Sequence, residues 1–316
     1  MRKNSRFIAG ILCVLTSAFM LAGCGSSSTS STEKKDVVKS EEAIAETAET
    51  TTEEATAETQ TEEVAVDSES VTIEEQVLVD QDGIKITATG YETDSIWGDG
   101  IKLLIENETD KDVTVGCTAL IVNDFMISDL FASNVAAGKK ANETMHLMSS
   151  ELKAAGIDSV GQVEVYFHVY DSSSFDSLFD TDCVTIKTSA YEDMDTTADD
   201  SGTELYNEGG IRIVGKTVDE NSFWGTAILL YCENTSGKNV GISVDDMSVN
   251  GFMMTPYFST TVYDGKKSFD DITLMSSELE SNGIEAIEEV ELKFHIYDVE
   301  TYSTIADSDP ITFLAQ

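Results

Sequence analysis

His168 and His295 stand at matching places in two strings, Phe167-His168-Val169-Tyr170-Asp171 and Phe294-His295-Ile296-Tyr297-Asp298. A histidine beside carboxylates can move a proton or ligate a metal. A zinc site needs several nitrogen or sulfur ligands, and neither the third histidine, His146, nor any cysteine falls at ligand spacing from these two. Both lie on the polar face of an alternating string, next to Tyr166, Tyr170 and Tyr297, which reads as surface or cross-strand packing. Asp171, Asp180 and Asp182 recur as Asp298, Asp307 and Asp309 around a loop near the end of each string. Oxygen ligands converging there would suit calcium, so these six are the calcium candidates. No ordered Asp-x-Asp-x-Asp-Gly loop is present, however, and aspartate is common in turns, so the overall expectation is no metal and no cofactor. Trp97 and Trp224 each precede a glycine and an apolar string. Each ring either closes the end of a core or forms a platform for a sugar ring or peptide, which makes the pair the candidate ligand-binding residues.

Cysteine gives less chemistry. Cys117 lies in the apolar run from Val115 to Val122, which would raise a thiol pKa and keep it unreactive. Cys117 and Cys183 are replaced together, by Val244 and Pro310, in the related half of the chain, as one bridge would require. Free thiols explain the same pattern, and both readings stay open. Cys232 sits in an apolar string and reads as core. Nothing assembles a nucleophile, base and orienting group, so the expectation is a protein that is not an enzyme.

What must position these residues is a module present twice. Residues 83–171 lie on 210–298 at a constant offset of about 127, with about 35 of about 89 pairs identical and no gap. Alternation such as Val163-Glu164-Val165-Tyr166-Phe167-His168-Val169-Tyr170 predicts half-buried strands, and further strands are expected at 84–89, 101–106, 113–122, 145–148 and 184–187 with their copies. Ser149 to Gly156 and Ser276 to Gly283 predict one short helical turn per module, with serine as cap and glycine as stop. Short strands over ~110 residues need a second apolar face to cover each sheet. The expected fold is therefore all-β, two tandem antiparallel β-sandwiches: module 1 at 76–188 and module 2 at 204–316, joined by an acidic linker at 189–203 that reads as a flexible joint.

Residues 1–23 have the form of an export signal, with Arg2, Lys3 and Arg6 before an apolar run too short to span a bilayer comfortably. Leu21-Ala22-Gly23-Cys24 resembles the bacterial lipobox, which implies cleavage before Cys24 and lipidation of its thiol. Two or three acyl chains, at about 0.8 kcal/mol per buried CH2, would then hold the chain on the outer face of the plasma membrane. Residues 24–75 are rich in Ser, Thr and Glu and poor in large apolar groups, so they read as a disordered tether. The formal net charge of −40 argues against nucleic acid as a partner and favours a neutral, apolar or basic one, or a cation that screens the surface. Asn107-Glu108-Thr109, Asn142-Glu143-Thr144 and Asn234-Thr235-Ser236 match a glycosylation pattern but read as turns in a bacterial chain.

The stretches 105–113 and 122–126, the Gly138-Lys139-Lys140 turn and the Phe-His-Val-Tyr-Asp string resemble immunoglobulin-like β-sandwich domains of lipoproteins and secreted proteins in Gram-positive bacteria. The resemblance implies a fold and a surface location and carries no substrate or catalytic residue. The expected function is a lipid-anchored, non-enzymatic binding or interaction protein, its partner a protein or a cell-wall glycan. A solute-binding lipoprotein working with a transporter, or a wall hydrolase, is the alternative.

Overall fold

The computed structural model describes residues 70–93, 98–128, 131–147, 149–222 and 225–314. Cys24, the export signal and most of the tether lie outside these residues, as do Trp97 and Trp224.

In module 1, β1 (Gln76–Gln81), β2 (Ile84–Glu92), β3 (Gly100–Asn107) and β7 (Lys140–His146) form one antiparallel sheet in the order β1-β2-β3-β7. The second sheet centres on β4 (Val113–Val122) and β8 (Gln162–Asp171), with β10 (Val184–Lys187) beside β8. The short strands β5 (Phe125–Ile127) and β6 (Ala132–Val135) pair with β4, and β9 (Ser177–Asp180) pairs with β8. The chain crosses between sheets from β3 to β4 and again from β7 to β8, so consecutive strands face each other across the core, an immunoglobulin-like arrangement.

Alternation dictates which side chains meet. On β8, Val163, Val165, Phe167 and Val169 are buried while Glu164, Tyr166, His168 and Tyr170 point outward. They pack against Ile86, Leu103 and Ile105 of the facing sheet. The bulge in β4 between Cys117 and Ala119 shifts the alternation, and Leu120 to Val122 are buried without interruption.

Module 2 repeats this frame with β11 (Thr203–Glu208), β12 (Ile211–Ser222), β13 (Gly225–Asn234) and β17 (Lys266–Met275) in one sheet. The other holds β14 (Val240–Val249), β15 (Phe252–Met253), β16 (Ser259–Val262), β18 (Glu289–Asp298), β19 (Thr304–Asp307) and β20 (Ile311–Leu314).

Three details depart from the sequence reading. The strand expected at 145–148 is β7, which begins at Lys140; its first half is polar because it is an exposed sheet edge. The helical turns α1 (Ser149–Ala154) and α2 (Ser276–Ser281) stand where expected, but Met275 occupies the cap of α2 with no side-chain hydrogen bond. Gly156 (φ +74°) and Gly283 (φ +67°) do end the turns in the left-handed region, and the Ile157 and Ile284 N–H groups close onto Leu152 and Leu279. The linker, expected as a flexible joint, is held on both sides: Ser189 bonds Thr72, just ahead of β1 of module 1, and residues 196–200 lie along module 2. Asp200 pairs there with Arg212 and Asp199 with Lys216, and the Thr196 backbone carbonyl accepts from Lys267 Nζ.

The two modules share a sheet. β5 runs parallel to β17, with Phe125 opposite Lys267 and Met126 opposite Ser268, so module 1's β10-β8-β4-β5 continues into module 2's β17-β13-β12-β11. Phe125 packs with Phe269, Tyr231, Val214 and Ala155 in a small core at the seam. Lys266 bridges from module 2 to Asp124 and Glu164 of module 1. Tyr166 meets Tyr263 edge to face at 5.0 Å.

Candidate functional site

The same surface feature is built in each module from the end of the closing strand and the turn after it. In module 1, β8 ends at Asp171, whose carboxylate accepts the N–H groups of Ser173 (2.9 Å) and Ser174 (3.2 Å) and is held by Lys111 Nζ at 3.0 Å. The Phe175 N–H donates to the Asp171 carbonyl at 2.8 Å, and the Asp171 N–H to the Asp176 carbonyl. Module 2 repeats the turn: Asp298 accepts from Glu300 and Thr301 (3.0 Å each) and pairs with Lys238 at 2.9 Å, and the Tyr302 N–H returns to the Asp298 carbonyl. Aspartate suits this place because a carboxylate one bond from the backbone can reach two amides ahead of it. Lys111 and then the turn amides hold the Asp171 carboxyl below the usual carboxylate range, and Lys238 with the same amides lowers Asp298 to about 2.

The turn displays one aromatic ring. Phe175 (φ +60°) and Tyr302 (φ +55°) adopt the left-handed conformation that non-glycine residues seldom take, and are 75% and 80% exposed. Behind each ring lies a ladder. Phe175 stacks on Tyr170 with centroids 6.2 Å apart, and Tyr170 meets the His168 ring at 5.2 Å. In the copy, Tyr302 stacks on Tyr297 at 6.4 Å and Tyr297 on His295 at 5.7 Å. Asp180 and Asp307, opposite the histidines in register, each take a hydrogen bond from the imidazole Nδ1, at 2.6 Å for His295. An ionised carboxylate only accepts, so the proton sits on Nδ1, and Nε2 points away from the aspartate. Gly241, opposite Tyr297, leaves the space its ring fills, since a Cβ there would stand 2.2 Å from Cζ.

The six calcium candidates are thus divided among other tasks. Asp171 and Asp298 cap turns, Asp180 and Asp307 orient histidines, and Asp182 and Asp309 are exposed beyond them. Among the described residues no three of His, Cys, Asp or Glu gather to hold a metal ion.

Cys117 and Cys183 are not bridged. Cys117 is opposite Phe167 on one side of β8, while Cys183 immediately precedes β10 on the other. Two strand spacings, about 10 Å, exceed the Cα separation of roughly 7 Å that a disulfide tolerates. Cys232 is core, and burial pushes its thiol pKa well up.

Sequence reasoning named both histidines and their tyrosines but missed Phe175 and Tyr302. The signal for them was their equivalence at the same repeat offset, just past the last identical string.

No family model and no curated relative matches the chain. Among solved structures, the chain is similar to the Salmonella enterica SafA pilin in complex with the SafB chaperone (12% identity, TM-score 0.20, 68% of this chain and 88% of that one). It is also similar to the Amycolatopsis orientalis exo-chitosanase CsxA (13%, TM-score 0.23, 71% and 26%) and to a Bacteroides uniformis β-glucuronidase (10%, TM-score 0.21, 74% and 26%). The chain spans about a quarter of the length of these two glycosidase chains.

Proposed function

We propose that this chain is a non-enzymatic binding protein, lipid-anchored through Cys24 on the outer face of the plasma membrane, whose modules each engage a neutral or basic cell-wall glycan through the His–Tyr–aromatic ladder. The observation that carries the reading is the pair of rings, Phe175 and Tyr302, held almost fully exposed in a strained conformation by identical Asp-capped turns. Water disfavours such a ring, and left-handed φ at a bulky residue costs of order 1–3 kcal/mol, so a merely structural turn would favour Gly or Asn there. A stacked ring offers its flat face to the C–H surface of a sugar, while the oriented histidine and tyrosine hydroxyl supply polar contacts at its edge. Duplication adds avidity, since a polymer held by one ladder meets the second at raised local concentration. The net charge of −40 favours a ligand without negative charge.

The test is cosedimentation of the full chain with insoluble cell-wall polysaccharide. Retention of the wild type, lost on Phe175→Ala with Tyr302→Ala while the melting temperature stays put, supports the reading. Equal retention of both proteins, or none of either, rejects it.

A further inference from the structure

The junction between the modules has two halves, and the duplication leaves one spare copy of each, a donor in module 2 and an acceptor in module 1. At the junction, the β4–β5 hairpin of module 1 is the donor. Its turn places Asn123 and Asp124 at positive φ, and Phe125 and Met126 lie along the edge of β17, the acceptor. The Lys267 N–H donates to the Asp124 carbonyl at 3.0 Å, Lys266 pairs with Glu164, and Lys267 Nζ lies 5.4 Å from the Phe125 ring centre.

The spare donor is β15. Its hairpin repeats the first in register, Val249 opposite Phe252 as Val122 is opposite Phe125. Asn250 and Gly251 take the same positive φ, and Asn250 ties the tip to Ala286, Glu288 and Glu289 as Asn123 ties its own to Ser159, Gly161 and Gln162. The spare hairpin is therefore preformed. Yet Phe252 and Met253 are 47% and 66% exposed, where Phe125 is 1%. β15 is the last strand of its sheet among the described residues.

The spare acceptor is β7, likewise at the end of its sheet. It pairs with β3 in the register that β17 keeps with β13, Glu106 opposite Lys140 as Glu233 is opposite Lys267, so the Lys140 N–H faces outward as that of Lys267 does. Lys139 and Lys140 stand in place of Lys266 and Lys267, and Glu291 in place of Glu164.

We infer that β15 of one copy docks along β7 of a second copy of this chain, repeating the internal junction between molecules. Phe252 then lies opposite Lys140 and Met253 opposite Ala141, and Lys139 pairs with Glu291 across the contact. The contact is heterologous, so each docked copy leaves another donor and acceptor free, and growth is an open head-to-tail chain. It is weaker than the internal junction. The seam's Tyr231, Phe269 and Val214 are replaced by Leu104, Asn142 and Thr87, which removes most of the apolar partners of the docked ring.

Sedimentation velocity of the full chain over a wide concentration range tests this. The expected result is a sedimentation coefficient that rises with concentration past a dimer. Lys139→Glu or Glu291→Lys alone, both at exposed positions, should weaken association about tenfold, and the double reversal should restore it. Phe252→Asp with Met253→Asp blocks the donor and Lys140→Pro blocks the acceptor, the latter at an edge where proline is tolerated. Each variant should remain monomeric alone, and the two mixed should give a dimer that grows no further. A wild type monomeric throughout, growth that stops at a dimer, or association that both charge reversals leave unchanged would overturn the inference.

Discussion

Phe125 and Phe269 stack across the seam between the modules with ring centroids 6.0 Å apart and planes inclined by 21°. One ring belongs to the hairpin of the first sandwich and the other to the outer face of the second, so this contact and the β5–β17 pairing make two cores one body. Phe125→Ala should cost about 3–5 kcal/mol, most of it in the coupling of the modules. Calorimetry should then show two separable transitions where the wild type shows one; a single transition merely shifted would mean the seam does not couple them.

Asn107 and Asn234 are fully enclosed and fully used. The Asn234 amide donates to the Lys238 and Val262 carbonyls at 2.7 Å each, and its oxygen accepts from the Ser236 N–H at 3.0 Å; Asn107 does the same with Lys111, Val135 and Thr109. Replacing either with Ala leaves buried carbonyls unpaired, at about 1–3 kcal/mol for each group orphaned. Urea unfolding of Asn234→Ala should show a lower midpoint with the slope kept.

Gly241→Ala should disturb only the second ladder. The new methyl collides with the Tyr297 ring, and the cost of overpacking is typically about 1–3 kcal/mol. In module 1 the equivalent position is already Thr114, which bonds Asn134 and Ser172, so that ladder is untouched. Loss of at least half the polysaccharide retention is the expected readout, and a smaller change would show that the Tyr297 ring position is dispensable.

Acid should loosen the ladder turns. A carboxylate whose pKa is lower folded than unfolded adds stability that is complete above its unfolded pKa and is lost as pH falls through the folded one. For Asp298 the window runs from its ordinary 3.8 down to about 2, and Asp171 shifts in the same direction. Asp298→Asn should flatten the pH dependence of the melting temperature between those limits; an unchanged slope would reject the assignment.

Thiol labelling separates the cysteines by burial. Cys183 is exposed and Cys232 is enclosed, so maleimide should modify Cys183 in the native protein and reach Cys232 only in denaturant. A mass two hydrogens short with native Cys117 and Cys183 would restore the disulfide rejected on geometry.

Periodicity and duplication were written openly in the chain. Val163 to Tyr170 alternates without error, and each apolar side chain can go only to one face of a strand, so the sandwiches and their repeat follow from residue order alone. The two histidines, their tyrosines and the turn aspartates were legible for the same reason, being fixed to that alternation. Their assembly was not. That Asp180 faces His168, or that Phe175 closes a stack, depends on the register of β9 against β8 and on a backbone turned to positive φ. The seam was hidden more deeply, because Phe125, Tyr231 and Phe269 sit on strand faces that a single sandwich would give to water. Only when β5 pairs with β17 do these rings acquire a common interior, and pairing between distant edges is set by packing in three dimensions, which local pattern does not encode.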